Sequence, residues 1–235
     1  GENAVSGGFL AALLAGFVAG YLVLGIKKLA DKLPESMEGI KPVLIYPLFG
    51  VLLIGVFMFA VNPTMAAINT GITGFLNSMG GSSKILLGCI VAGMMSIDMG
   101  GPFNKAAYVF GTASIASGNY DVMAAVMIGG MIPPLAVALA TTFFKKKFTS
   151  EERKSGVVNY IMGLCFITEG VIPFAAADPL RVIPSCVAGS AVAGGLSMLF
   201  GCTLRAPHGG IFVFPVVGNV VGYLIALAEC CCWAY

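Results

Sequence analysis

The stretch 167–185, ITEGVIPFAAADPLRVIPS, sets Glu169, Asp178 and Arg181 together with Pro173, Pro179 and Pro184 among Ile, Val, Phe and Ala. Each proline removes a backbone donor and crowds the preceding turn, so it cuts or bends a helix. The residues between are apolar enough for burial, yet the run is broken into pieces and charged at chosen points. Irregular backbone at membrane depth survives only where it is enclosed by protein or lines a cavity. The stretch therefore reads as a re-entrant segment rather than as one continuous span.

The rest of the chain supplies the surroundings for such a segment. Its 235 residues are 58% hydrophobic and 10% charged, with a mean hydropathy of +0.94. Soluble domains carry about 25% charged residues, and several apolar runs here approach the ~20 residues that cross a bilayer as a helix. The expected fold class is an all-α polytopic membrane protein, with transmembrane helices plus re-entrant helical hairpins. The 32 glycines and 12 methionines suit close helix packing. The chain begins with Gly and has no basic segment before its first apolar run, which argues against a signal peptide and for a fragment of a longer chain.

Several function classes drop out. There is no P-loop or dinucleotide fingerprint, and no basic and aromatic interleaving of the kind that grips nucleic acid. The seven cysteines show no CxxC spacing and the one histidine makes no ligand set with them, so neither metal nor cofactor is expected. Cys89, Cys165, Cys186 and Cys202 lie in apolar surroundings and read as small buried hydrophobes, while the run Cys230–Cys232 receives no function.

Along the chain, Val5–Ile26 is a first span and Val43–Val61 a second, closed by Asn62-Pro63. Residues 64–83 have apolar residues near helical spacing and predict a separate interfacial helix. Ile85–Ile97 is too short to cross, and DMGGPFNK (98–105) interrupts it before Ala106–Ala116 resumes, which predicts a broken helix. Val122–Phe144 is a clean span with a kink at Pro133-Pro134, followed by a hydrophilic loop. Val157–Ile167 leads into the opening stretch, and Cys186–Leu204 and Ile211–Ala228 complete the spans. The segments 27–41 and 145–154 hold nine of the 13 basic residues, and the positive-inside rule places both in the cytoplasm.

Charges inside the apolar segments are few: Asp98, Lys105, Glu169, Asp178, Arg181 and Arg205, with His208 nearby. Each ion at bilayer centre costs on the order of 2.5–3.5 kcal/mol on insertion scales, so these groups must face protein, water or one another. Gly100, Gly101 and Pro102 break a helix, and Asp98, Asn104 and Lys105 flank the break. Those three side chains either satisfy the freed backbone, pair with each other or bind a polar ligand. Glu169 is an acceptor-only carboxylate beside loosened backbone, suited to gripping vicinal hydroxyls. Asp178 and Arg181 stand at i and i+3, with Asp178 placed as helix cap before Pro179, and read as a structural pair. Arg205 and His208 lie in a broken segment between two apolar runs, where a histidine serves ligand contact or proton transfer.

Three motifs, DMGGPFNKAAYVFG (98–111), FITEGVIPFAAADPLRVIPS (166–185) and LFGCTLRAPHGGIFV (199–213), closely resemble the membrane-embedded IIC domain of bacterial fructose-specific phosphotransferase-system permeases. GFLAALLAGFVAGYLVLGIKKL (8–29) and LPESMEGIKPVLIYPLFG (33–50) look like earlier segments of the same family. The resemblance implies a homodimeric, multi-pass sugar transporter of the bacterial inner membrane, in the glucose–fructose–lactose superfamily, lying in membrane lipid. It further implies a scaffold and dimerisation portion over residues 1–120, shortened at its N-terminus, and a substrate-binding transport portion over 121–235. Glu169 matches the family's sugar-contacting glutamate, and His208 is the histidine available for the sugar-side role. The family takes up fructose with phosphorylation by a IIB domain, itself charged by IIA. None of the seven cysteines has a IIB-like context, so this chain is expected to translocate sugar without a phosphorylation site or catalytic residue of its own. Two other readings of the residues stay open at this level. One is an ion-coupled sugar or organic-acid symporter using Asp98 and Lys105 as its ion site; the other is a membrane scaffold or sensor.

Overall fold

A computed structural model describes residues 8–34, 37–78 and 81–233. The chain forms two compact units, Gly1–Phe75 and Leu76–Tyr235. The first holds helix α1 (Gly8–Ala30) and most of α2 (Tyr46–Ser78), which is entered through a π-helical turn at Lys41–Ile45. Lys27 and Lys28 fall in the last turn of α1, where cations complement the helix dipole. Buried Lys41 pairs with Glu38 at 3.2 Å. Residues 41–68 are long and apolar enough to cross a membrane, and none of the most apolar stretch is buried within the protein. Leu48, Val51, Leu52 and Phe59 point outward accordingly.

Asn62-Pro63 does not close that span. The helix runs through Pro63 to Ser78, so residues 64–78 continue it instead of forming a separate interfacial helix. Proline's φ is helical, and one lost hydrogen bond costs less in an apolar setting than ending the helix and exposing a full set of backbone groups.

The second unit is built around α5 (Asp121–Phe143), whose residues from Val122 to Ala138 are all buried. A helix apolar on every side is covered either by lipid or by protein, and around α5 the cover is protein. Around it pack α3 (Gly81–Ile97), α4 (Pro102–Ala116), α6 (Ser150–Leu164), α8 (Pro179–Leu199) and α9 (Val220–Trp233). The backbone continues as helix through Pro133 and Pro134. Helices α3 and α8 meet closely, and a Cβ added to Gly88 would lie 2.6 Å from the Gly194 carbonyl oxygen. Two buried serines in this core are paired: Ser190 Oγ donates to Gly129 O at 2.8 Å and shares a hydrogen bond with Ser96 Oγ. Such pairing is what lets serine sit between apolar helices.

Four boundaries differ from the sequence reading. Helix α3 starts at Gly81, although its 17 residues still span only about 25 Å, short of the ~30 Å hydrocarbon core. Helix α6 starts at Ser150, inside the segment read as a hydrophilic loop. Thr149 and Glu152 form a reciprocal capping box there, which supplies the start signal. In the opening stretch two of the three prolines begin helices and the third lies inside one, so none ends a helix. Pro173 lies in the first turn of α7 (Ile172–Ala177), Pro179 is the first residue of α8, and Pro184 lies within α8. The expected span Cys186–Leu204 thus starts earlier and stops at Leu199.

The expected span Ile211–Ala228 is not one helix. A 3₁₀ segment covers Gly210–Val216, and α9 begins only at Val220. Between them β2 (Val217–Gly218) pairs antiparallel with β1 (Thr203–Leu204), and Asn219 takes a left-handed φ of +57°. Asparagine tolerates that conformation, and Pro215 blocks earlier α-helix propagation. Apart from this two-residue pairing the described fold is all-α. Helices α3 and α4 lie in the same compact unit as α5–α9, so the packing boundary at Phe75/Leu76 precedes residue 120. The side chains of Cys230–Cys232 lie outside the described residues.

Candidate functional site

The break between α3 and α4 is closed from within. Asp98 accepts from the amides of Phe103 (2.7 Å) and Asn104 (3.0 Å), one on each carboxylate oxygen. These are donors that the start of α4 leaves without helical partners. Asn104, nearly fully buried, donates from Nδ2 to Met95 O at 2.7 Å and also reaches Thr168 Oγ1 at 3.4 Å. Met99 has a left-handed φ of +47°, and its side chain is buried with Val137, Val171, Phe174 and Cys186. Gly100 follows with φ +117°, a conformation that only glycine adopts easily.

The second irregular segment lies against the first. Helix α6 ends in a Schellman-type turn: Phe166 N–H bonds Gly163 O at 3.2 Å and Ile167 N–H bonds Met162 O at 2.9 Å. Phe166, not glycine, holds the left-handed position at φ +64°. Its ring compensates by packing tightly against Gly130 of α5. The chain then enters a 3₁₀ turn, Glu169–Val171. Here the Glu169 carboxylate covers Gly100 so closely that a Cβ on Gly100 would stand 2.8 Å from Oε1.

Glu169 and Lys105 are the charged pair of this site, with Nζ 3.7 Å from Oε1. Lys105 does not pair with Asp98, whose oxygens are both engaged by backbone. The side chains of Lys105 and Glu169 are 62% and 48% exposed, so both charges remain open to a ligand. Tyr108 sits one turn beyond Asn104 and Lys105, half-buried, with its ring 6.2 Å from Phe166. The exposed His208 approaches edge-on, 5.2 Å from Phe166 and 6.4 Å from Tyr108. Asp98 bonds the Asn104 amide, Asn104 reaches Thr168 next to Glu169, and Glu169 faces Lys105, while His208 packs with Tyr108, which follows Lys105 by three residues, and Phe166, which precedes Glu169 by three. The arrangement offers a carboxylate acceptor, an ammonium donor, an imidazole and an aromatic wall, a set suited to a polyhydroxylated neutral ligand.

Arg205 lies elsewhere. Its guanidinium stacks over Tyr120, 5.0 Å from the ring centroid, and Leu204 N–H bonds Tyr120 O at 2.9 Å. Asp178 precedes α8 as its capping residue without a side-chain cap bond, and forms instead an ion pair with Arg181 at 3.5 Å. Both line a separate cavity of about 580 Å³ whose walls include Val137, Lys147, Phe148 and Phe174. That cavity does not contain Glu169. Among the described residues no group of three His, Cys, Asp or Glu side chains could hold a metal ion.

Sequence reasoning passed over Tyr108, Phe166, Thr168 and Asn159. Tyr108 was signalled by its spacing of three and four from Lys105 and Asn104, which shares a helix face. Asn159 is the polar residue in VVNYIMG (157–163), buried to 1% exposure in α6.

Comparison with known proteins defines the class of this molecule. The chain belongs to the phosphotransferase system EIIC family, whose model matches residues 1–189, and it is accordingly a polytopic membrane protein. Among its relatives, the "PTS system fructose-specific EIIABC component" of Bacillus subtilis (strain 168) is 54% identical over 221 residues, which are 94% of this chain and 35% of that protein. The "Fructose permease IIC component" of Bacillus amyloliquefaciens is likewise 54% identical over 221 residues, covering 94% of this chain and 72% of the relative. The "PTS system fructose-specific EIIB'BC component" of Escherichia coli (strain K12) is 48% identical over 200 residues, 83% of this chain and 36% of its own length. The chain thus spans about a third of the fused relatives. No solved structure matches it.

Proposed function

We propose that this chain is the sugar-translocating part of a phosphoenolpyruvate-dependent fructose phosphotransferase system, seated in the bacterial inner membrane. The observation that carries the reading is the exposed Glu169 carboxylate, set in an enclosed backbone break and faced by Lys105. Relatives about 50% identical carry fructose-specific names. Glu169 accepts hydrogen bonds from sugar hydroxyls, Lys105 donates to a hydroxyl oxygen, and His208 contacts the sugar from the aromatic side. Asp98 and Asn104 serve by shaping the break. Arg205 serves outside this cluster.

The fused names of the relatives support a IIB domain as the phosphoryl donor and, for the Bacillus subtilis protein, a IIA domain behind it. The chain itself supplies no phosphorylation site in this scheme; it presents the sugar to IIB. Residues 1–120 act as scaffold and dimer contact and 121–235 as the transport portion, although α3 and α4 pack with the latter. An Asp98–Lys105 ion site is not supported, because Asp98 is committed to backbone N–H groups.

The test is radiolabelled fructose uptake in cells that supply IIB and IIA. Glu169→Gln keeps the size of the side chain and removes its charge. Uptake abolished at normal membrane abundance is the expected result. Uptake at the wild-type rate, or uptake that persists without the donors and collapses with the ion gradient, overturns the reading.

A further inference from the structure

Glu169 is the middle residue of Thr168-Glu169-Gly170, and each of its neighbours is held by a different helix. On the N-terminal side, Asn104 of α4 reaches the Thr168 hydroxyl at 3.4 Å. On the C-terminal side, Asn159 of α6 donates from Nδ2 to the Gly170 carbonyl at 3.1 Å. Asn104, Asn159 and Thr168 are 3%, 1% and 4% exposed, whereas Glu169 between them is half-exposed. Buried amides hold an exposed carboxylate.

The Asn159 contact has little freedom. An added Cβ on Gly170 would collide with Asn159 Oδ1 and Met162 Sδ, so the turn lies flush on α6. Asn159 Oδ1 has no hydrogen-bond partner in its buried position. Turning the amide over would place that oxygen against the Gly170 carbonyl and lose the bond, so the observed orientation is the favourable one. A buried acceptor left unmatched is costly, and here the compensating contact is the one that anchors the turn.

We infer that Asn159 and the Asn104–Thr168 contact are positioning residues, which fix the Glu169 carboxylate for sugar by holding the backbone on both sides of it. The inference rests on Glu169 being the sugar-contacting carboxylate. Asn104 belongs to the support of the site, and Asn159, ten residues before Glu169, belongs to it as well.

The experiment measures the concentration dependence of fructose uptake for Asn159→Ala, Asn159→Asp and Thr168→Val, in cells supplying the phosphoryl donors, with membrane abundance quantified. Asn159→Asp keeps shape and removes the donor, and Thr168→Val keeps shape and removes the acceptor. Ser190→Ala, which breaks a buried hydrogen bond elsewhere in the unit, is the control for general damage. Loss of one aligned hydrogen bond is worth about a five- to tenfold change. We expect the KM for fructose to rise by about that factor in all three, with maximal rate per transporter within about twofold. Ser190→Ala is expected to lower abundance or maximal rate at an unchanged KM. Wild-type KM values in the Asn159 variants overturn the inference, as does a loss confined to abundance or maximal rate. Should the Asn159 variants fail to insert, Thr168→Val decides on the same criterion. Glu169→Gln is run in parallel. If it transports normally the sugar-contact reading falls; if it is inactive while the others keep the wild-type KM, only the positioning inference falls.

Discussion

Lys105 Nζ stands 3.7 Å from Glu169 Oε1, which joins the first turn of α4 to the turn before α7 by opposite charges that both remain exposed. Exposed ion pairs contribute only about 0–1 kcal/mol to stability. Lys105→Met is therefore expected to leave the thermal midpoint of the purified protein within about 2 °C of wild type. Fructose uptake should fall at least about tenfold, the scale of a lost charge-assisted hydrogen bond. A large loss of stability with unchanged KM would assign Lys105 to architecture instead.

Gly100 makes a sharper prediction because two constraints meet there. Its φ of +117° is unfavourable for any side chain, and a Cβ would sit 2.8 Å from the Glu169 carboxylate oxygen. Replacing glycine by alanine at a positive φ costs upward of about 1 kcal/mol. In Gly100→Ala the carboxylate must also move. Uptake should be lost while membrane abundance stays near normal, as measured by quantitative blotting beside the transport assay.

The start of α6 is predicted to matter for stability alone. Thr149 and Glu152 cap the helix reciprocally, with Glu152 Oε2 accepting from Thr149 N–H at 2.7 Å and Thr149 Oγ1 accepting from Glu152 N–H at 3.2 Å. Thr149→Ala should cost about 1 kcal/mol. For a chain of this length that lowers the thermal midpoint by about 2–4 °C. The KM for fructose should not change, since no site residue touches this turn.

Gly88 and Gly194 meet backbone to backbone, so a side chain added at Gly88 cannot be relieved by a rotamer change. Gly88→Ala must push α3 away from α8, an overpacking cost of roughly 1–3 kcal/mol. Differential scanning fluorimetry should show a midpoint lowered by about 2–12 °C. A neutral result would mean that the two helices pack less closely in the membrane.

The apolar spans and both backbone breaks were legible in the sequence, because Gly-Gly-Pro after Asp98 and the prolines after Glu169 interrupt runs otherwise fit for burial. Helix limits were less so. Pro63 spells a stop in the sequence, but an apolar setting favours continuing the helix through it. The hydrophilic SEERKSG has the composition of a loop, although Thr149 and Glu152 spell a helix start. The site divided in the same way. Composition singled out Glu169 and Lys105 because each charge is costly in apolar surroundings. It could not reveal that Lys105 faces Glu169 rather than Asp98, since that choice depends on how Asp98 caps α4. Asn159 escaped because its role is a contact with a backbone carbonyl, which leaves no pattern in the residues of the partner.

The contact between Asn104 and Thr168 joins residues 64 positions apart. During synthesis the α3–α4 hairpin therefore leaves the ribosome well before the segment that completes it. At 5–20 residues per second the delay is on the order of 3–13 s. For that interval the hairpin exists without the segment that packs against it, and the earliest moment at which this compact unit can mature is set by the arrival of the 166–171 turn.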